Sequence, residues 1–229
     1  YHANVVIFDE KLFKGGFIGV DIFFVISGYL ITSLILRELN TTQSFSFMNF
    51  YQRRVRRILP PLFFVMLLCF PVAWVHLDPG SFIDFSKSIL YSIGFSSNFY
   101  FWDMGQQYAA ANSLLKPFLH TWSLSIEEQY YIIFPIFLFI IFRYLRNYLL
   151  LFLIVSFIFS LLLADWGSKN YPSATFYFLH SRAWELIAGS FLAFSEIYQH
   201  YKKNNLIIQN SLSFIGFFII LFSIIFGKT

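Results

Sequence analysis

The sequence predicts an all-α fold, a polytopic transmembrane helical bundle with a re-entrant or interfacial segment, and three observations carry that prediction. Apolar residues fill 58% of the 229 positions while 12% are charged, about half the charged share of an ordinary soluble domain. The apolar residues gather in uncharged runs such as 134–142 and 149–164, and about 20 such residues at 1.5 Å rise cross a ~30 Å hydrocarbon core. Short segments of strict apolar/polar alternation, which an outer-membrane barrel requires, are absent from the sequence.

Spans are expected over 16–36, 58–77, 122–142, 148–164 and 206–226, with a sixth over 176–195 that carries Arg182 and Glu185 but is otherwise apolar. The stretch 81–101 is interrupted by Asp84, Lys87 and several Ser and Asn. Basic residues flank the cytoplasmic ends of membrane helices, so Arg53, Arg54, Arg56 and Arg57 put the loop between the first two spans in the cytoplasm. If 81–101 crossed fully, Arg143 and Arg146, and also Lys202 and Lys203, would face outward. An outer loop from Asp78 to His120 with a re-entrant or interfacial segment returns both pairs to the cytoplasm. Tyr1 to Phe8 reads as the outer end of an earlier helix. With no initial Met and a stop just after an apolar run, residues 1–229 read as one partial integral-membrane domain, its first helix truncated and its C-terminal helices missing.

Composition also narrows the function. The one cysteine, Cys69, allows no intrachain disulfide. The net charge of +4 is concentrated where apolar segments end, which argues against nucleic acid as a partner and for membrane lipids. No P-loop, Cys/His metal-binding spacing or nucleophile elbow occurs, and no metal is expected.

An ionisable group at mid-membrane costs about 2.5–3.5 kcal/mol on insertion scales, which makes each one a functional candidate. Three clusters qualify. The first runs from His120 through Trp122, Ser123, Ser125, Glu127 and Glu128 to Gln129, directly before an apolar run. In a helix starting near Ser123, Ser125 shares a face with Glu128 and Gln129. A capping box of Ser123 or Ser125 with Glu128 is the structural alternative, but it accounts for one Ser and one Glu only. The second is Arg182 with Glu185, spaced i, i+3, either functional or a self-neutralised structural pair. In the third, four arginines in five positions exceed what orientation needs, and guanidinium groups bind phosphates bidentately. Anionic headgroups are the alternative partner.

These segments coincide with blocks of a known family. Residues 15–32 (Gly-Gly-Phe-Ile-Gly-Val-Asp-Ile-Phe-Phe-Val-Ile-Ser-Gly-Tyr-Leu-Ile-Thr), which contain Asp21 and Ser27, resemble the second membrane helix of the acyltransferase-3 family of bacterial membrane O-acyltransferases. Residues 49–61 resemble its arginine motif, and 115–131 and 182–189 two further blocks, in family order. The resemblance implies transfer of an acyl group, usually acetyl, from cytoplasmic acyl-CoA to a hydroxyl of an extracytoplasmic glycan such as lipopolysaccharide O-antigen or peptidoglycan. It implies a multi-pass protein of the bacterial inner membrane.

By the same resemblance His2 is the general base, with its basic partner lying before Tyr1. The family's paired arginines map onto Arg54 and Arg57, or onto Arg53 and Arg56 at the same spacing, and would hold the CoA phosphates. Glu127, Glu128 and Gln129 would line or brace the cavity, with Asp21, Ser27, His120, Trp122, Ser125, Arg182 and Glu185 as further cavity candidates. Residues 97–102 and 116–123 look most like members fused to a C-terminal SGNH-type domain. A transporter or flippase with a charged substrate path, or a catalytically inactive scaffold, would show the same buried charges.

Overall fold

The computed structural model describes residues 6–7, 10–11, 18–105, 116, 118–198 and 206–226. Apart from a two-residue antiparallel pairing of β1 (Val6–Ile7) with β2 (Glu10–Lys11), the described elements are helical. They are α1 (Ile18–Thr42), α2 (Phe47–His76), α3 (Pro79–Ile93), α4 (Ser97–Asp103) and α5 (Thr121–Tyr144), then, after a 3-10 turn at Arg146–Tyr148, α6 (Leu149–Asn170), α7 (Pro172–Tyr177), α8 (Leu179–Tyr198) and α9 (Leu206–Phe226). The expected all-α fold is what the chain adopts. The segments Ile18–Thr42, Phe47–His76, Thr121–Tyr144 and Arg146–Asn170 are long and apolar enough to cross a membrane. Side chains such as Phe64, Leu67 and Trp74 of α2 and Val155, Phe159 and Leu162 of α6 are exposed; lipid, unlike water, tolerates that much open apolar surface.

Two expectations need correction, and one structural alternative is excluded. The second span does not start at residue 58 after an arginine-bearing loop. Ser46 caps α2, its Oγ accepting the Asn49 N–H at 3.4 Å, and the helix runs unbroken through all four arginines and through Pro60, Pro61 and Pro71. The run 176–195 is not one helix. It breaks at Phe178, whose extended backbone separates α7 from α8. Nor does Glu128 close a capping box: α5 begins at Thr121 and its N-cap, His120, makes no side-chain cap bond. Ser123 Oγ bonds its own turn at His120 O, and Ser125 Oγ bonds Ser97.

The stretch 81–101 is two helices joined by a tight turn at residues 94–96. Phe95 takes a left-handed φ of 49°, its N–H reaching Ser92 O while Ser96 N–H reaches Tyr91 O. That is the helix-ending pattern in which glycine is usual. A buried polar lattice fixes the turn against α5. Thr121 Oγ1 contacts the hydroxyls of Ser92 and Ser97 at 2.8 and 2.9 Å, and Ser97 Oγ contacts Ser125 Oγ at 2.8 Å. Gln129 Nε2 donates to Phe95 O at 3.0 Å and to Asn98 Oδ1 at 2.8 Å, and Asn98 Nδ2 donates to Tyr177 O of α7 at 3.0 Å. An apolar cluster of Leu62, Met66, Ala73, Phe85 and Phe118 packs α3 beneath α2.

The chain divides into two compact units, residues 34–184 and residues 1–33 with 185–229. In the second, α1 and α8 cross at two glycines. A Cβ on Gly28 would lie 2.6 Å from the Leu186 carbonyl carbon, and one on Gly189 would lie 2.6 Å from the Tyr29 nitrogen. Only hydrogen on both Cα atoms lets the backbones come this close, as small residues do in membrane helix pairs. Thr32 Oγ1 then donates to Ser190 Oγ at 2.7 Å, and Tyr29 OH to Glu196.

Candidate functional site

The 34–184 unit holds the site, where the start of α2 runs antiparallel along α5. Phe47 meets Phe139 ring to ring at 5.7 Å, Tyr51 meets the 131–132 backbone, and Arg54 meets Tyr131. A helix-interior proline has no N–H to give the carbonyl four residues earlier. Pro135 therefore strips Tyr131 O of its helical donor, and the Tyr51 hydroxyl supplies one across the helices, at 3.3 Å to Tyr131 O and 3.2 Å to Ile132 O.

One turn along α2 from Tyr51, the Arg54 guanidinium lies over the Tyr131 ring, 4.3 Å from its centroid. Cation–ring attraction of this kind is worth about 2 kcal/mol when desolvated. The Tyr131 hydroxyl donates to Glu127 Oε1, one turn back on α5. Glu127, Glu128 and Tyr131 are buried at 6%, 7% and 2% exposure. Glu128 Oε1 has no hydrogen-bond partner among the described residues. Two adjacent carboxylates are thus buried beside the Arg54–Tyr131 pair, and one oxygen of Glu128 is left without a donor among the described residues.

The other arginines face away from this cluster. Arg53, Arg56 and Arg57 are exposed on one side of α2, at i, i+3 and i+4. Arg53 makes a loose 3.9 Å contact with Glu38. Ser125 and Gln129 are engaged in the lattice under the α3–α4 turn. Trp122, at the start of α5, forms with Phe176 and Tyr177 an aromatic wall on which Arg182 rests, 5.6 and 5.7 Å from the Trp122 and Phe176 rings. His120 is exposed beside Phe118. Asp21, half-buried in the first turn of α1, Ser27, buried in α1, and Glu185, buried in α8, belong to the other unit. His2 lies outside the described residues. The structure thus brings together Arg54, Glu127 and Glu128 from the candidates and adds Tyr131 and Tyr51. Tyr131 had a faint signal in its i+4 spacing from Glu127; Tyr51 had none that a linear pattern could show.

Comparison with known proteins decides the family. The profile described as acyltransferase domain matches residues 3–228. The chain belongs to the acyltransferase-3 family. It is 37% identical over 199 residues to peptidoglycan O-acetyltransferase OatA of Listeria monocytogenes, covering 85% of this chain and 31% of that one. It is 34% identical over 199 residues to O-acetyltransferase OatA of Staphylococcus aureus, covering 85% and 32%. An uncharacterized protein of Haemophilus influenzae is 40% identical over 185 residues, 76% of this chain and 73% of that one. The chain therefore spans about a third of the length of the two named acetyltransferases. No solved structure matches it.

Proposed function

We propose that this acyltransferase-3 chain carries the membrane part of an enzyme that moves an acetyl group from acyl-CoA to a hydroxyl of a glycan outside the bacterial cytoplasmic membrane. The observation that supports this reading best is the Arg54–Tyr131–Glu127–Glu128 cluster, built between α2 and the first half of α5, two helices long and apolar enough to cross a membrane, in a member of an acyltransferase family. The name of the Listeria relative, a peptidoglycan O-acetyltransferase, favours peptidoglycan over lipopolysaccharide O-antigen as acceptor.

Arg53, Arg56 and Arg57 suit the donor's phosphates. Three exposed guanidinium groups share one helical face, and no ion pair holds Arg56 or Arg57 among the described residues. Each fork is free to accept a phosphate bidentately. In the reaction proposed, a base takes the proton of the acceptor hydroxyl, the oxygen attacks the thioester carbonyl, and the carbon–sulfur bond breaks to release the CoA thiol. His2 is the residue the family resemblance offers as base, and Glu127 and Glu128 would orient it or the acceptor.

The test is transfer of label from radiolabelled acetyl-CoA to isolated glycan in membranes that contain the complete gene product. The Arg56→Ala/Arg57→Ala double variant is expected to raise the KM for acetyl-CoA at least tenfold while inserting and solubilising normally. Movement of intact glycan across vesicles with no labelled acetyl product would establish the transporter reading instead.

A further inference from the structure

Glu127 and Glu128 are consecutive and both buried, so the sequence gives no ground for choosing between them. Their surroundings differ. Glu127 receives the Tyr131 hydroxyl from one turn ahead on its own helix. Tyr131 is in turn pinned, its ring under Arg54 and its carbonyl held by Tyr51. Glu128 Oε1 is sealed from solvent with no donor among the described residues. A buried carboxylate oxygen left this way costs more than the ~1–3 kcal/mol of a neutral buried group. Such a cost persists in a folded protein where a ligand completes the bonding.

We propose that Tyr131 sorts the two carboxylates, holding Glu127 as part of the frame and leaving Glu128 as the one that accepts a hydrogen bond from the reacting system. The group it takes is an N–H or O–H donor of the reaction, either the acceptor sugar's hydroxyl or the imidazole that activates it. Glu128 is then a catalytic residue, while Tyr131 acts through Glu127 and is a positioning residue. This rests on the acetyl-transfer reading above and deepens it.

The experiment uses the complete gene product in the labelled acetyl-transfer assay, with melting in detergent as the check on folding. Glu128→Gln is expected to cut kcat/KM for transfer at least a hundredfold with no fall in melting temperature, since it relieves a buried charge. A loss carried by the acceptor KM identifies the sugar hydroxyl. A loss in kcat with a changed pH profile identifies the imidazole. Tyr131→Phe keeps the ring under Arg54 and removes only the hydroxyl. It is expected to lower kcat about tenfold, leave the acetyl-CoA KM unchanged, and have no further effect in a Glu127→Gln background. The proposal is overturned if Glu127→Gln is the more damaging of the two glutamate changes, or if the Tyr131→Phe and Glu127→Gln losses simply multiply. Absence of any transfer by the wild-type protein, by contrast, would remove the acetyl-transfer reading itself.

Discussion

Replacing Gly28 by alanine tests the close crossing of α1 and α8. The added Cβ would sit 2.6 Å from the carbonyl carbon and 2.9 Å from the Cα of Leu186, with the carbonyl oxygen nearer still. These are backbone atoms and have no rotamer to escape into, so α1 and α8 must part by about 1 Å to reach ordinary carbon–carbon contact distance. That gap would stretch the 2.7 Å Thr32–Ser190 bond beyond hydrogen-bonding range, about 1 kcal/mol. Overpacking adds about 1–3 kcal/mol, for a total near 3 kcal/mol and a melting shift on the order of 5–10 °C. Gly19→Ala, in the same helix, is the control, because a Cβ there meets nothing within 4 Å. Melting of detergent-solubilised protein, followed by fluorescence-detected size exclusion, compares the two. If Gly28→Ala melts with Gly19→Ala, the close crossing is wrong.

Tyr51→Phe should cost about 1 kcal/mol, the value of a long hydrogen bond to a carbonyl with no other donor. The cost should vanish in a Pro135→Ala background, where the residue-135 N–H serves Tyr131 O; chemical denaturation in detergent measures both, and equal costs in the two backgrounds would refute the exchange. Asp78 caps α3, its carboxylate accepting from Ser81 and Gly80 N–H at 3.1 and 3.0 Å. Hydrogen bonding by Ser81, then by Gly80, holds it below its ordinary value of 3.8. A depressed value in the folded state means the cap stabilises above pH 3.8 and is lost as pH falls through the folded value. The melting difference between wild type and Asp78→Ala should therefore be constant near neutrality and shrink below about pH 3.8; a difference that persists there would mean that the capping is not the source.

Much of the architecture was legible because hydropathy is a local property. The 122–142 run lies inside α5 and the 148–164 run begins one residue before α6; of the polar residues that interrupt 81–101, Ser96, Ser97 and Asn98 fall at the α3–α4 break, whereas Asp84 and Lys87 lie within α3. Hydropathy misplaced the start of α2 because it scores each arginine as unfavourable, whereas the helix continues through them with Arg54 laid on Tyr131. It also merged α7 with α8, since the turn at Phe178 is as apolar as its flanks. At the site, Glu127 and Glu128 stood out as charges next to an apolar run. Tyr131 is one of 14 tyrosines, and its importance comes from a partner 77 positions away, Arg54. Gly28 and Gly189 sat inside blocks noted for other reasons, and their role appears only when α1 and α8 are placed side by side.

The register of α2 on α5 bears on the geometric difficulty of any enzyme whose donor is inside and whose acceptor is outside. Glu128 stands seven residues after Thr121 and sixteen before Tyr144, so at 1.5 Å per residue it is about 10 Å from one end of α5 and about 24 Å from the other. By the charge bias of membrane helices, Arg143 and Arg146 would put the far end on the cytoplasmic side; Arg146 Nη2 there donates to Asn40 Oδ1 near the end of α1. Arg54 lies opposite Tyr131, well along α5 from that end. An arginine at such depth is tolerable because it lies on an aromatic face, the Tyr131 ring, whose hydroxyl in turn meets the buried Glu127. Arg53, Arg56 and Arg57 flank Arg54 within about a turn and a half of α2, so a donor held by its phosphates there would be anchored alongside α5 and not out at the cytoplasmic rim. On the proposed acetyl-transfer reading, the acyl group would then have only the remaining stretch toward the Thr121 end to cross, a reach that a flexible thioester arm would supply without moving a protein domain.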